Sequence, residues 1–384
     1  QIDVGKLTVA NLAFGMRTSP AVSELSVRLA EGTVDECRVR LDSQQVSVKS
    51  VLLNRGGYSY LTGPAVPGKE KQEAAPVPGG STPSLPWTVR VGSVVLDDNR
   101  AEYGLLNHRP AAGFDPSFIA LSTLDLAVDS IYNRGADIAL QIRRMAFTER
   151  SGLTVSDMTG DIGMDASGIS LAGVTLKTPF SRIEANISAG EGILALAPDS
   201  PLKAALTADV NTKDLKYLYP ALIPPMLDGR IVSLALTAAG TLGDIGKAGL
   251  DISSPGHVAF TADGAARNVL DPDRMEASAR FEGDFRDMAF LEALLPDSAL
   301  RRRIAIPDRI RLRGTAGADK GAFSAASTLS TDGGEIALQG QLDTRSEAYE
   351  IELRCDSFPL NRFLPADSLG LLDLALQAGG SGFD

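Results

Sequence analysis

Apolar and polar positions alternate with a period of two along most of this 384-residue chain. Apolar side chains recur at Leu25, Val27 and Leu29, at Cys37, Val39 and Leu41, at Val89 and Val91, and at Leu124, Leu126 and Val128. The spacing returns at Ile138, Leu140 and Ile142, at Leu234 and Leu236, at Tyr349, Ile351 and Leu353, and at Leu374 and Leu376. Between them stand mainly Ser, Thr, Arg, Asp, Gln or Ala. Successive side chains of a strand point to opposite faces, so the pattern predicts sheet with one apolar and one wet face. That is the habit of antiparallel meanders, not of parallel βαβ units. The predicted fold class is mainly β: an elongated, repetitive antiparallel sheet curled into an open hydrophobic groove, with short helices at its margin.

Two departures from alternation organise the chain. Residues 63–86 (GPAVPGKEKQEAAPVPGGSTPSLP) are rich in Pro, Gly, Lys and Glu and read as a disordered linker or loop insertion. In the second half, Asp214-Leu215-Lys216-Tyr217-Leu218-Tyr219-Pro220 recurs loosely as Asp287-Met288-Ala289-Phe290-Leu291 and as Pro359-Leu360-Asn361-Arg362-Phe363-Leu364-Pro365. The anchors Leu215, Met288 and Leu360 lie 73 and 72 residues apart. Each copy predicts a short helix stopped by proline, with about four strands between copies, for example 229–238, 248–254, 257–264 and 274–285. The expected organisation is a sheet segment over 1–62, the linker over 63–86, a groove segment over 87–212 and helix-plus-strand repeats over 213–384. Such a repeat cannot bury its apolar face alone, and side-by-side stacking solves this.

Composition narrows the function. A net charge of −11 leaves no basic stripe to neutralise phosphates, and the densest basic run is Arg301 to Arg303, so no nucleic-acid partner is expected. Aromatics make up 5% of the chain. The two cysteines, Cys37 and Cys355, read as unpaired buried thiols or as one long-range disulfide. No run of about 18 apolar residues suggests a membrane span. Strand pattern begins directly after Gln1 and stops at Gly379-Gly380-Ser381-Gly382, so the expectation is a fragment of a longer protein.

Chemistry is sparse. His108 and His257 stand in unrelated contexts, and neither cysteine has zinc-site spacing. No nucleophile elbow, phosphate-binding loop or dinucleotide fingerprint occurs. The acidic stretches 209–214 and 271–273 lack the central glycine and terminal glutamate of a calcium loop. No catalytic residue, metal or cofactor is expected. What remains is the apolar face, which either closes as the interior of a sandwich or barrel or lines an open groove. An acyl chain gains roughly 0.8 kcal/mol per methylene removed from water, so an open groove suits a phospholipid tail. The candidate groove residues are those of the alternating runs: Leu25, Val27, Leu29, Val89, Val91, Leu124, Leu126, Val128, Ile138, Leu140, Ile142, Leu234, Leu236, Ile351, Leu353, Leu374 and Leu376.

Two stretches carry a family resemblance. One runs from Phe114-Asp115-Pro116-Ser117-Phe118 through Leu124-Asp125-Leu126, Ile138 to Ile142 and Glu149-Arg150-Ser151-Gly152-Leu153 to Gly173-Val174-Thr175-Leu176-Lys177-Thr178-Pro179-Phe180-Ser181. The other is the helix-plus-strand repeat ending in Ala239-Gly240-Thr241-Leu242. Together they resemble the TamB branch of the AsmA-like envelope proteins, in the form found in Bacteroidetes-type Gram-negatives. The resemblance implies a periplasmic rod, anchored in the inner membrane, that conducts phospholipid acyl chains along a hydrophobic groove to the outer membrane. It also implies an alternative, a scaffold that assembles outer-membrane or secreted proteins with an outer-membrane barrel partner. The anchor and the barrel-binding region have no counterpart in these residues.

Overall fold

The computed structural model describes residues 1–18, 23–63, 86–191, 193, 197–220, 228–287, 305–364 and 370–382. Nineteen strands dominate these described residues. The chain divides into two compact units, Gln1–Arg182 with Asp214–Ile223, and Ile183–Lys213 with Pro224–Asp384.

The first unit holds β1 (Ile2–Thr18), β2 (Ser23–Arg40), β3 (Gln45–Thr62), β4 (Thr88–Leu105) and β5 (Phe118–Arg134). The shorter β6 (Asp137–Glu149), β7 (Thr154–Asp165) and β8 (Gly168–Lys177) follow. Each strand pairs with the next in chain order. All these pairs are antiparallel except β3–β4, which is parallel, with Gln45 opposite Thr88 and Thr62 opposite Leu105. The described strands are thus mostly antiparallel, with this one parallel pair. Parallel neighbours need a long return connection, and the Pro/Gly-rich segment supplies the residues for it. Apart from its ends, Gly63 and Pro86, that segment lies outside the described residues.

The long strands are not evenly alternating. Residues with left-handed φ sit within them: Asn11 in β1, Glu36 in β2, Arg55 in β3, Asp98 in β4, and Thr123 and Ser130 in β5. A left-handed residue inserts a bulge-like kink and shifts the side-chain phase by one. The kinks form two rows across the sheet. In one, Asn11, Ala30, Arg55 and Asp98 stand at the same level; in the other, Gly5, Glu36, Lys49, Gly92 and Ser130 do.

In the second unit, β9 (Arg182–Gly190) pairs with β10 (Pro201–Asn211). Then come β11 (Ile231–Thr241), β12 (Ile245–Ser254), β13 (Val258–Arg267) and β14 (Glu276–Arg286). β15 (Arg309–Asp319), β16 (Ala322–Thr331), β17 (Gly334–Asp343), β18 (Ala348–Pro359) and β19 (Leu371–Ser381) complete it. From β10 to β19 every neighbour is antiparallel and in chain order.

Two of the three predicted helices fall on described residues. Helix α1 (Thr212–Leu218) follows β10, and the single turn Leu360–Phe363 follows β18. The copy at Met288 lies outside the described residues. Four strands, β11 to β14, separate α1 from residue 287, and four more, β15 to β18, precede Leu360.

Candidate functional site

Directly opposed residues of neighbouring strands project to the same face, so strand register traces each face row by row. In the first unit one row runs Ile2, Val39, Val46, Val89, Asn133, Ile138, Met164 and Ile169 through all eight strands. Another runs Val9, Gly32, Leu53, Leu96, Leu126, Met145, Met158 and Leu176. Between them stand Val4 with Cys37, Val48 with Val91 and Ile131, and Leu140 with Ile162 and Leu171. The row Leu7, Val34, Val51, Val94, Val128 and Ile142 lies beside these. Leu29, Val27 and Leu25 continue the face with Gly56, Tyr58 and Tyr60 of β3, and Leu124 joins it opposite Asn99.

The kink rows keep these residues on one face. Val48 and Val51 are three residues apart, as are Val91 and Val94, Val34 and Cys37, and Val128 and Ile131. Regular alternation would put each such pair on opposite faces. The contact that a β-carbon on Gly32 would make with both Leu29 and Leu53, at 2.7 and 3.3 Å, places all three on one side. Period two is therefore broken within the strands, a feature the alternating runs alone do not reveal.

Asn99 holds one kink row together and was not singled out from sequence. It is fully buried. Its side-chain oxygen accepts hydrogen bonds from the Gly56 N–H at 2.8 Å and the Tyr58 hydroxyl at 3.3 Å. Its amide nitrogen donates to the carbonyls of Leu53 at 2.9 Å and Asp97 at 3.0 Å. Arg55 and Asp98 are both left-handed and side by side in the parallel pair, and one amide side chain bridges the backbone on either side of Arg55.

The second unit has a plainer face. One row runs Leu206, Leu236, Leu250, Ala262, Phe281, Gly314, Ser327, Leu338, Leu353 and Leu376 across ten strands. The next runs Ala208, Leu234, Ile252, Phe260, Gly283, Leu312, Leu329, Ile336, Cys355 and Leu374. On the other side lies a row of small residues, Ala204, Ala238, Ala248, Gly264, Ala279, Ala316, Ala325 and Gly340, which reaches Ile351 and Ala378. Large side chains thus stand as a ridge beside a lower strip. At about 4.8 Å per strand, ten strands carry this face over about 43 Å.

None of these rows holds an Asp, Glu, Lys or Arg. In the second unit much of the face is open to solvent, with Leu236 40% exposed, Leu338 43% and Leu376 48%, whereas in the first unit Leu29, Leu124, Val128 and Ile142 are buried. The candidate residues from sequence all fall on the apolar face of their own unit.

Charge is kept to the opposite face and the margins. Arg38 pairs with Asp3 at 2.9 Å, Lys49 with Glu36 at 2.5 Å and Arg143 with Asp129 at 2.9 Å. In the second unit Asp284 lies between Arg309 and Arg286, at 2.5 and 2.9 Å, and these guanidiniums hold its carboxyl well below the usual range. At the margin of the first unit, Asp115 binds His108 Nε2 at 2.7 Å and accepts from the N–H groups of Ala111 and Ser117. The His108 bond, then the Ala111 bond, lower its pKa to about 2. Asp214 of α1 accepts hydrogen bonds from the hydroxyls of Thr178 and Ser181, at 2.5 Å each.

Cys37 is half-buried and Cys355 buried, both as free thiols, and burial pushes the Cys355 thiol up. Among the described residues no group of three or more His, Cys, Asp or Glu comes together as a metal site, and no helix is long and apolar enough to cross a membrane. The chain matches no protein-family model, no curated protein and no solved structure.

Proposed function

We propose that the apolar face is a path for phospholipid acyl chains, and that the chain is a periplasmic part of a TamB-like bridge between inner and outer membranes. The reading rests on one observation above all: a face crossing ten strands of the second unit without a charged residue, with large side chains left in solvent. Burying a sixteen-carbon tail against such a face offsets roughly 13 kcal/mol of hydrophobic cost. A row without charges lets a tail move along it without meeting a group that must be desolvated. The lipid head group stays in water at the margin.

The test is transfer of a fluorescent phospholipid between donor and acceptor vesicles. Leu126→Asp, Leu140→Asp and Leu236→Asp each place a carboxylate on the path and lower the transfer rate at least tenfold. Gln141→Asp and Ser233→Asp, on the opposite face, leave it within twofold. Equal rates for both sets at equal folded protein overturn the proposal.

A further inference from the structure

Building on the acyl-chain path above, we propose that a cavity at the margin of the second unit holds a phosphoethanolamine head group. Asp308 and Asp332 receive its primary ammonium and Arg362 its phosphate.

Three separate segments of the unit converge on this cavity, which has a volume of about 210 Å³. Asp308 comes from the stretch ahead of β15, Thr331 and Asp332 from the β16–β17 turn, and Arg362 and Phe363 from the single turn after β18. Backbone hydrogen bonds fix these segments. The Ala305 N–H donates to the Phe363 carbonyl at 2.8 Å, and the Asp287 N–H to the Asp308 carbonyl at 2.9 Å. Gly333 lets the β16–β17 turn approach the turn after β18, because a β-carbon there would collide with Pro359. The volume exceeds the roughly 150 Å³ that takes up a benzene ring, so a small head group fits.

The cavity stands where the apolar face ends. Phe285, Ile310, Thr331 and Gly334 oppose one another across β14 to β17 and carry the face one step beyond Leu312, Leu329 and Ile336. Phe363 stacks on the buried Phe358 with ring centroids 4.5 Å apart, and Phe358 lies against Gly334. A tail on the face is thus joined to a head group among the charged side chains.

Those charges are open to a ligand. Asp308, Asp332 and Arg362 are all exposed. Neither carboxylate has an ion-pair or hydrogen-bond partner among the described residues. Arg362 makes one long hydrogen bond, from Nη1 to the Asp332 carbonyl at 3.5 Å. Arg309, the neighbouring cation, is held by Asp284. Two carboxylates and one guanidinium in one cavity disfavour a head group that is anionic overall and suit one with a cation beside its phosphate. A primary ammonium brings three N–H donors for charge-assisted bonds to carboxylates. A quaternary choline brings none. Arginine matches phosphate with paired bonds. Phosphoethanolamine supplies both partners.

The test is calorimetric titration of the full chain with O-phosphoethanolamine, phosphocholine and glycerol 3-phosphate, and with a short-chain phosphatidylethanolamine kept monomeric. O-phosphoethanolamine is expected to bind at least tenfold more tightly than either of the other tail-free compounds. Arg362→Gln, and Asp308→Asn combined with Asp332→Asn, each lower that affinity at least fivefold. Glu335→Gln, on the opposite face, leaves it within twofold. The short-chain lipid binds at least tenfold more tightly than O-phosphoethanolamine, because its tails reach the face. Tail-free ligands probe the cavity alone, so their binding stands or falls separately from the vesicle transfer that tests the path. Equal affinity for the three tail-free compounds, no binding of O-phosphoethanolamine, or unchanged binding to Arg362→Gln overturns the inference. Equal affinity for tailed and tail-free phosphoethanolamine assigns the cavity to the free compound and overturns its link to lipid.

Discussion

The first unit lays out five strands of 17 or 18 residues, whereas β10 to β19 in the second run 10 to 12. Both present one apolar face, by different means. Along the three rows traced in the second unit the short strands keep phase by alternation, and their register shifts, at Ala239/Gly240, Ile245/Ala248 and Cys355/Phe358 with left-handed Ser357, lie toward strand ends. Long strands in the first unit bend at two levels, and the left-handed residues there shift the phase so that the apolar set returns to the same face. The longer strand therefore needs added devices: kinks at matched levels, a buried amide to satisfy the backbone beside them, and a return connection for its parallel pair.

The largest expected effect concerns that connection. The chain must travel from Thr62 back to Thr88, a span of about 56 Å along a strand of this length. Ten residues reach at most about 36 Å. Cutting residues 63–87 to ten is expected to abolish hydrogen-exchange protection in β3 and β4 while leaving β11 to β14 as in the parent. Removing only five residues leaves both regions protected. Protection of β3 and β4 after the long deletion would contradict the parallel pairing.

Asn99→Leu comes next. It leaves the Gly56 N–H and the Leu53 carbonyl without the partner that Asn99 supplies, at a cost of about 2–4 kcal/mol. The comparable change in the second unit, Ser254→Ala, removes a single bond to the Ile231 carbonyl at 2.9 Å and costs about 1 kcal/mol. Urea unfolding followed by amide exchange separates the two. Equal effects would mean that the kink row does not depend on its amide.

The smallest effect is on acid stability. Asp115 has a pKa lowered from 3.8 to about 2 in the folded chain. A lowered carboxylate pKa contributes stability that is fully present above the unfolded value and is lost as pH falls through the folded one. The first unit is therefore expected to lose stability between about pH 4 and about pH 2, and Asp115→Asn to flatten that part of its curve. Unfolding midpoints measured across this window for parent and variant provide the check.

These differences also explain what could be read from the sequence. The mainly β class, the single apolar face and the helical turns at Leu215 and Leu360 lie in local pattern, and local pattern suffices where strands are short. The phase slips were hidden because the residues that make them carry weak signals. Asn11 and Asp98 suit left-handed backbone, but Glu36, Arg55 and Thr123 do not, and only their neighbours across the sheet reveal the shared level. Asn99 looks like any polar residue of a wet face until Gly56 and Leu53 are brought beside it. The parallel pair was equally invisible, because a Pro/Gly-rich segment says that the chain leaves the sheet and nothing about where it returns. A signal was present in retrospect: Val46, Val48, Val51 and Leu53 step by two, three and two.

The central claim, the proposal that the apolar faces carry acyl chains, is tested most directly by photocrosslinking. A photoreactive amino acid is placed at Leu126 or Leu236 on the apolar face and at Gln141 or Ser233 on the opposite one. Each protein is irradiated with phospholipid vesicles and analysed by mass spectrometry. Lipid adducts at Leu126 and Leu236, with few or none at Gln141 and Ser233, are the predicted result. Equal labelling of both faces, or none at Leu126 and Leu236 in protein shown to be folded, would contradict it.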